Sequence, residues 1–365
     1  LKIKDILSAI EAVAPVGLQE SWDNSGLLVG NKEAEIDSAL ITIDVTEAVV
    51  DEAIAHQNGL IIAHHPPIFS GLKRITGSTE TERLVMKAIQ HNIAIYVAHT
   101  NIDVIKEGVS WCMAQKLGLK NVETLVPQGG LLKKLVVFVP ENYADAVRNA
   151  VFEAGAGQIG NYDSCSFSSP GSGSFKGNDS THPFVGEPGI LHFENEVRVE
   201  TIFPAYLQTT IISSMLAAHP YEEVAYDIYP LDNKHQQIGL GVVGELQEEV
   251  STLEFLQHVK KTFRCEAIRH TPIVKETVKK VALVGGAGSS FLKNAIQSKA
   301  DVFVTGDFKY HQFFDAEKRI VIADIGHYES EQFTKELFYE IVTNKFSKFA
   351  LRLSEVQTNP VKYLF

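Results

Sequence analysis

Leu60-Ile61-Ile62-Ala63-His64-His65-Pro66-Pro67 is an apolar run that ends in two histidines and two prolines. Apolar residues in succession, bounded by turn formers, read as a buried strand of a parallel sheet. Pro66 biases His65 toward an extended conformation and cannot continue the ladder, so the chain turns as both imidazoles emerge. The carboxyl edge of such a strand is where open α/β sheets bind ligands, and paired imidazoles are metal-ligand material.

The flanking sequence completes a β-α-β unit: a strand over 37–44 built on Ala39-Leu40-Ile41-Thr42-Ile43, a helix over 47–57, and the histidine-bearing strand from 59. A helix near 81–91 and the strand Ile93-Ala94-Ile95-Tyr96-Val97-Ala98 follow, ending in His99-Thr100-Asn101-Ile102-Asp103. The same grammar returns later, with strands over 280–284, 301–305 and 320–325. The first runs into Gly285-Gly286-Ala287-Gly288-Ser289 and the last into Gly326-His327-Tyr328-Glu329-Ser330-Glu331. A long helix near 330–344 is expected to close this second half. The fold class is α/β, with two pseudo-symmetric lobes over 1–125 and 240–365 forming one core domain.

Between them, residues 131–233 read strand, helix, strand, strand, helix, strand, the β-α-β-β-α-β order of an inserted ferredoxin-like α+β domain. Its halves echo each other, Val139-Pro140-Glu141-Asn142-Tyr143 against Phe203-Pro204-Ala205-Tyr206. The Gly/Ser-rich stretch from Ser164 to Gly177 reads as a mobile hairpin.

A chain of 365 residues, 45% hydrophobic and 21% charged, can bury a sizeable core. Its net charge of -12 disfavours nucleic acid and anionic membranes as partners. Cys112, Cys165 and Cys265 are too dispersed for a disulfide framework or a thiolate zinc site, which fits a reducing compartment. The N-terminus reads as an amphipathic helix without the pattern of a signal peptide, and no run suits a membrane span, so a cytoplasmic location is expected.

His327 and Glu331 stand four apart at a helix start and so share a face. With His64, His65 and Asp103 they make three nitrogens and two carboxylates, a donor set that suits Zn, Mn, Fe, Co or Ni. Five ligands exceed what one open ion needs. Two divalent ions about 3.5–4 Å apart would use them all and leave room for a bridging water activated as hydroxide. Taken singly, each residue has a plain structural explanation: a turn, a solvated helix face, a cap. Joint occurrence at three strand ends carries the argument. His311 and Asp315 form a rival i,i+4 pair after Thr305-Gly306-Asp307-Phe308-Lys309-Tyr310, and spacing does not separate the two pairs. His99 is a further ligand or proton shuttle candidate. Asp23 and Asn24, in the turn Ser21-Trp22-Asp23-Asn24-Ser25-Gly26, are candidate pocket groups. The glycines at 285–288 lack a nucleotide P-loop ending, so close packing explains them better than phosphate binding.

Together Trp22-Asp23-Asn24-Ser25-Gly26, Ala63-His64-His65-Pro66-Pro67, His99 to Asp103, Gly285 to Ser289 and Gly326 to Glu331 resemble the GTP cyclohydrolase I type 2 homologue family, also called Nif-three-like. The likeness covers both lobes, and the insert resembles the PII-like or CutA-like domain of longer bacterial members. It implies His65 and Asp103 on one ion, His64 and His327 on the other, and Glu331 bridging, and so favours His327 over His311. It also implies a ring-shaped homohexamer with the insert over its openings. The expected activity is metal-dependent hydrolysis of a small molecule, a nucleotide such as GTP among them, with His99 or His311 moving protons. The competing expectation is a metal-binding regulatory or scaffold protein whose insert senses a small ligand.

Overall fold

The histidine-bearing run is the central strand of a five-stranded sheet. In a computed structural model that describes residues 1–364, the sheet order is Gly26–Val29, Ala94–Val97, Leu60–Ala63, Ser38–Thr42, Ala350–Leu353. All neighbours run parallel except Gly26–Val29 against Ala94–Val97. Leu60, Ile61, Ile62 and Ala63 are fully buried, as expected of a strand covered on both faces. Ile3, Ile6 and Ile10 of the helix Ile3–Val13 pack on one face with Ile62 and Tyr96. Val49, Val50, Leu84 and Val85, from the helices Glu47–Ala55 and Glu80–Gln90, cover the other. Each such side chain contributes about 1.5–3 kcal/mol.

A six-stranded sheet repeats the plan in the order Arg269–His270, Val321–Asp324, Val302–Gly306, Thr277–Ala287, His235–Ser251, Lys120–Gln128. Its parallel centre, Thr277–Ala287 with Val302–Gly306 and Val321–Asp324, corresponds to the parallel centre of the first sheet. The two sheets belong to one compact unit, Leu1–Val126 with the segment from Gln237 on.

The C-terminal helix differs from expectation. It is broken into His327–Glu331 and Thr334–Lys345. Its second piece closes the first lobe, not the second: Phe338 and Val342 pack with Ile41, Ile62 and Tyr96, and the following strand pairs with Ser38–Thr42. Apolar burial decides this, because the first sheet has a face that the helix Ile3–Val13 alone leaves uncovered.

Pro127–Gln236 forms the second compact unit. Its sheet, ordered Ser166–Phe175, His192–Pro204, Leu132–Pro140, Tyr226–Pro230, is antiparallel throughout. The helices Ala144–Glu153 and Gln208–Ala218 cover one face, burying Val147, Val151, Ile211 and Met215 against Leu135, Val137, Val199 and Phe203. The Gly/Ser-rich stretch is not a hairpin. Ser166–Phe175 is an edge strand paired with His192–Pro204 along its whole length, because a backbone ladder needs no bulky side chains.

Candidate metal centre

Adjacent residues on a regular strand point to opposite faces. His64 and His65 avoid this because the amides of both donate to one carbonyl, that of Ile43, at 3.2 and 2.9 Å. The chain therefore turns at the strand end, and the two rings stand 4.8 Å apart on the same side.

From the second lobe, one helical turn after Gly326 brings His327 and Glu331 to the same place. Gly286 makes room for them. It sits at φ 65°, and a Cβ there would overlap the Glu331 carboxylate, so the glycine turn serves close packing of the site. Its amide donates to Ser330 Oγ, which donates in turn to the His327 carbonyl.

Glu331 Oε2 is the hub, 2.9 Å from His65 Nε2, 3.1 Å from His327 Nε2 and 3.7 Å from His64 Nε2. His64 Nε2 lies 3.7 Å from Asp103 Oδ1, and His65 Nε2 lies 3.3 Å from His327 Nε2. His64 Nε2, Asp103 Oδ1 and Glu331 Oε2 are buried without a hydrogen-bond partner. Three such atoms aimed into one space are costly unless a cation satisfies them. His64, His65 and Glu331 form a candidate metal-binding group, with ligand atoms within 4.8 Å of one another. The donor chemistry fits a borderline divalent ion.

The outer side of each ring agrees. His64 Nδ1 donates to the Ala98 carbonyl at 3.0 Å, His65 Nδ1 to Asp44 at 2.7 Å, and His327 Nδ1 to Asp307 at 2.7 Å. Such bonds fix the tautomer that leaves Nε2 with its lone pair toward the site. Asp44 and Asp307 were not among the residues expected from sequence. Each follows a parallel strand, which is the signal that marked the ligands themselves.

Burial lowers the pKa of His65 and His327, yet Asp44 and Glu331 outweigh it and raise His65 to about 9, while Asp307 and Glu331 raise His327 to about 11. Burial pushes Asp103 up to about 7. Burial also opposes ionisation of Glu331, but the surrounding imidazoles hold it well below the usual carboxylate range. This is a concentrated negative field, for which protons and a divalent ion compete. Exposure grades across it, from 0% for the His64 side chain to 38% for that of His327, so the site opens on the second lobe's side.

His99 sits beside this group, its ring 5.4 Å from His64 and 5.5 Å from His65. Its Nδ1 donates to buried Asp23 at 2.7 Å. Burial would raise the Asp23 carboxyl, but His99 and Thr100 hold it well below its ordinary value. Asn24 supports the neighbouring loop through the Ile68 carbonyl instead. His311 is exposed on the short helix Tyr310–Ala316, its ring against Tyr310 and Phe314. Trp22 and Phe69 also flank His99, stacked on each other at 6.1 Å, and both are largely exposed.

The chain matches the family described as Duf34/NIF3 (NGG1p interacting factor 3) over residues 1–360. It belongs to the Duf34/NIF3 family. A Bacillus subtilis relative named GTP cyclohydrolase 1 type 2 homolog is 42% identical over 99% of this chain and 98% of its own length. A Bacillus cereus crystal structure described as related to NIF3 is 42% identical, with a TM-score of 0.84 over 100% of this chain and 99% of that one. A Staphylococcus aureus structure aligns over the same shares with a TM-score of 0.78 at 28% identity. The α/β fold with its paired sheets is therefore that of the NIF3 family. Among the described residues, no helix is long and apolar enough to cross a membrane.

Proposed function

We propose that this NIF3-family chain is a metal-dependent hydrolase holding two divalent ions, with His65 and Asp103 at one, His64 and His327 at the other, and Glu331 between them. The observation that carries this reading is the set of orphaned buried atoms, His64 Nε2, Asp103 Oδ1 and Glu331 Oε2, converging on one space. Bound there, the ions would supply Lewis acidity and lower the pKa of coordinated water.

The chain's own residues supply the rest. Asp44 and Asp307 hold the ligand rings in register. Asp23 fixes His99 so that Nε2 is its free nitrogen for moving a proton, the arrangement of an oriented general acid or base. His311, exposed and turned to Tyr310 and Phe314, is the weaker proton-transfer candidate. Trp22 and Phe69 offer aromatic faces beside His99, which favours a substrate with a planar ring, a nucleotide included. The name borne by the Bacillus subtilis relative makes GTP the first such substrate to test.

The test is metal analysis of protein purified without chelator, followed by a hydrolase panel that includes GTP. Wild type is expected to carry two ions per chain. Asp103→Ala should retain about one, and Glu331→Ala less than that, each still unfolding in a single cooperative transition. A Glu331→Ala protein with the metal content of wild type sinks the assignment.

A further inference from the structure

The unit Pro127–Gln236 contains a cavity of about 730 Å³. It lies on the sheet face that the two helices leave open. Val137 and Val199 point into the helix-covered core, so their neighbours Phe138, Arg198 and Glu196 point the other way, into the cavity. The size is that of pockets for drug-sized molecules, about 300–1,000 Å³.

Three features specify its chemistry. The first is its aromatic walls: Phe175 and Phe184 each pack against Tyr221, with ring centres 5.8 and 6.3 Å apart, and Phe138 lines the same space. The second is charge. Among the described lining residues Glu196, Glu222 and Glu223 outnumber Lys176 and Arg198, and Arg198 is already paired with Glu200 at 2.9 Å. The third is a polar centre. The Tyr221 hydroxyl is buried beside the Glu196 carboxylate. Burial, Glu196 and Glu194 all hold that hydroxyl protonated, so it is a donor.

Glu196 reaches this position only because the edge strand is small there. A Cβ on Gly173 would overlap the Glu196 carboxylate. The roof over the cavity is held by the His182 amide, which donates to Glu222 at 3.0 Å.

We infer that this unit binds a small organic cation, its ammonium or guanidinium head between Glu196 and the faces of Phe175 and Tyr221, and its apolar body against Phe138 and Phe184. Aromatic faces and a carboxylate both attract such a head, and their effect grows as water is excluded. An inorganic cation fits less well, since the walls are rings.

The test is calorimetric titration of the full chain, metal-loaded, with benzyltrimethylammonium and with benzenesulfonate as its anionic counterpart. The ammonium should bind saturably and the sulfonate should not. Glu196→Gln, which keeps the shape, should weaken the ammonium about tenfold, and Gly173→Ala, which dislodges Glu196, by a similar factor. Melting temperature and metal content should stay at wild-type values in both. Equal or tighter sulfonate binding, no saturable ammonium binding, or a Glu196→Gln protein that binds like wild type each overturns the inference. None of these outcomes bears on the hydrolase reading, whose variants lie in the other unit.

Discussion

The two lobes of the core answer the same question differently. In each, the last strand of the parallel centre runs into a short helix carrying a histidine and, four residues later, a carboxylate: His99 and Asp103 in the first, His327 and Glu331 in the second. His327 Nε2 stands 3.1 Å from Glu331 and joins the cluster. His99 sits one ring further back, pinned by buried Asp23, while Asp103 alone reaches His64. In the proposed function the second lobe's histidine would serve an ion, and the first lobe, having His64 and His65 already, would leave its own for proton transfer. Equivalent backbone positions do not impose equivalent chemistry; the hydrogen-bond partner behind each ring decides it.

The comparison is sharpest in turnover and metal content. On whichever substrate the panel identifies, His99→Ala should slow turnover by about 10²–10⁴-fold while keeping both ions, and His327→Ala should lose metal. Equal metal loss in the two variants breaks the distinction. A smaller effect is expected one shell out. Asp44→Asn and Asp307→Asn should weaken metal affinity by about 10–100-fold in a competitive chelator titration. Asp44 should matter more, because its side chain is 31% exposed against 52% for Asp307 and is screened less by water.

The smallest difference concerns stability. Asp301, at the start of the second lobe's middle strand, accepts from the amides of Lys279 and Lys280 and pairs with Lys275. The corresponding start in the first lobe, Gly59, has no carboxylate. Burial would raise the Asp301 pKa, but Lys275 and the two amides hold it below the ordinary 3.8. Its contribution is therefore complete above that value and is lost as pH falls through the folded value. Asp301→Asn should cost about 1 kcal/mol near neutrality, since Lys275 is partly exposed, and nothing in strong acid. Chemical denaturation across pH measures both.

Much of this was legible because it is local. Four apolar residues before His64 mark a buried strand whatever surrounds them, and the i,i+4 spacing of His327 and Glu331 follows from helical pitch alone. The edge strand Ser166–Phe175 was misread for the opposite reason. Its glycines and serines carry no apolar pattern, and what holds it is the neighbouring strand's backbone. The terminal helix was assigned to the wrong lobe because amphipathic spacing says which face is buried, not against what.

By itself the sequence determined the elements, the strand-end placement of the candidate ligands and, through resemblance, the family. Spacing alone left His327 and His311 equal. Only the tertiary structure decided which polar atoms meet. Asp44 lies 21 residues from His65, Asp307 lies 20 from His327 and Asp23 lies 76 from His99. Hydrogen bonds act over about 3 Å and depend on direction, so which atoms pair is set by the packing of strands distant in sequence.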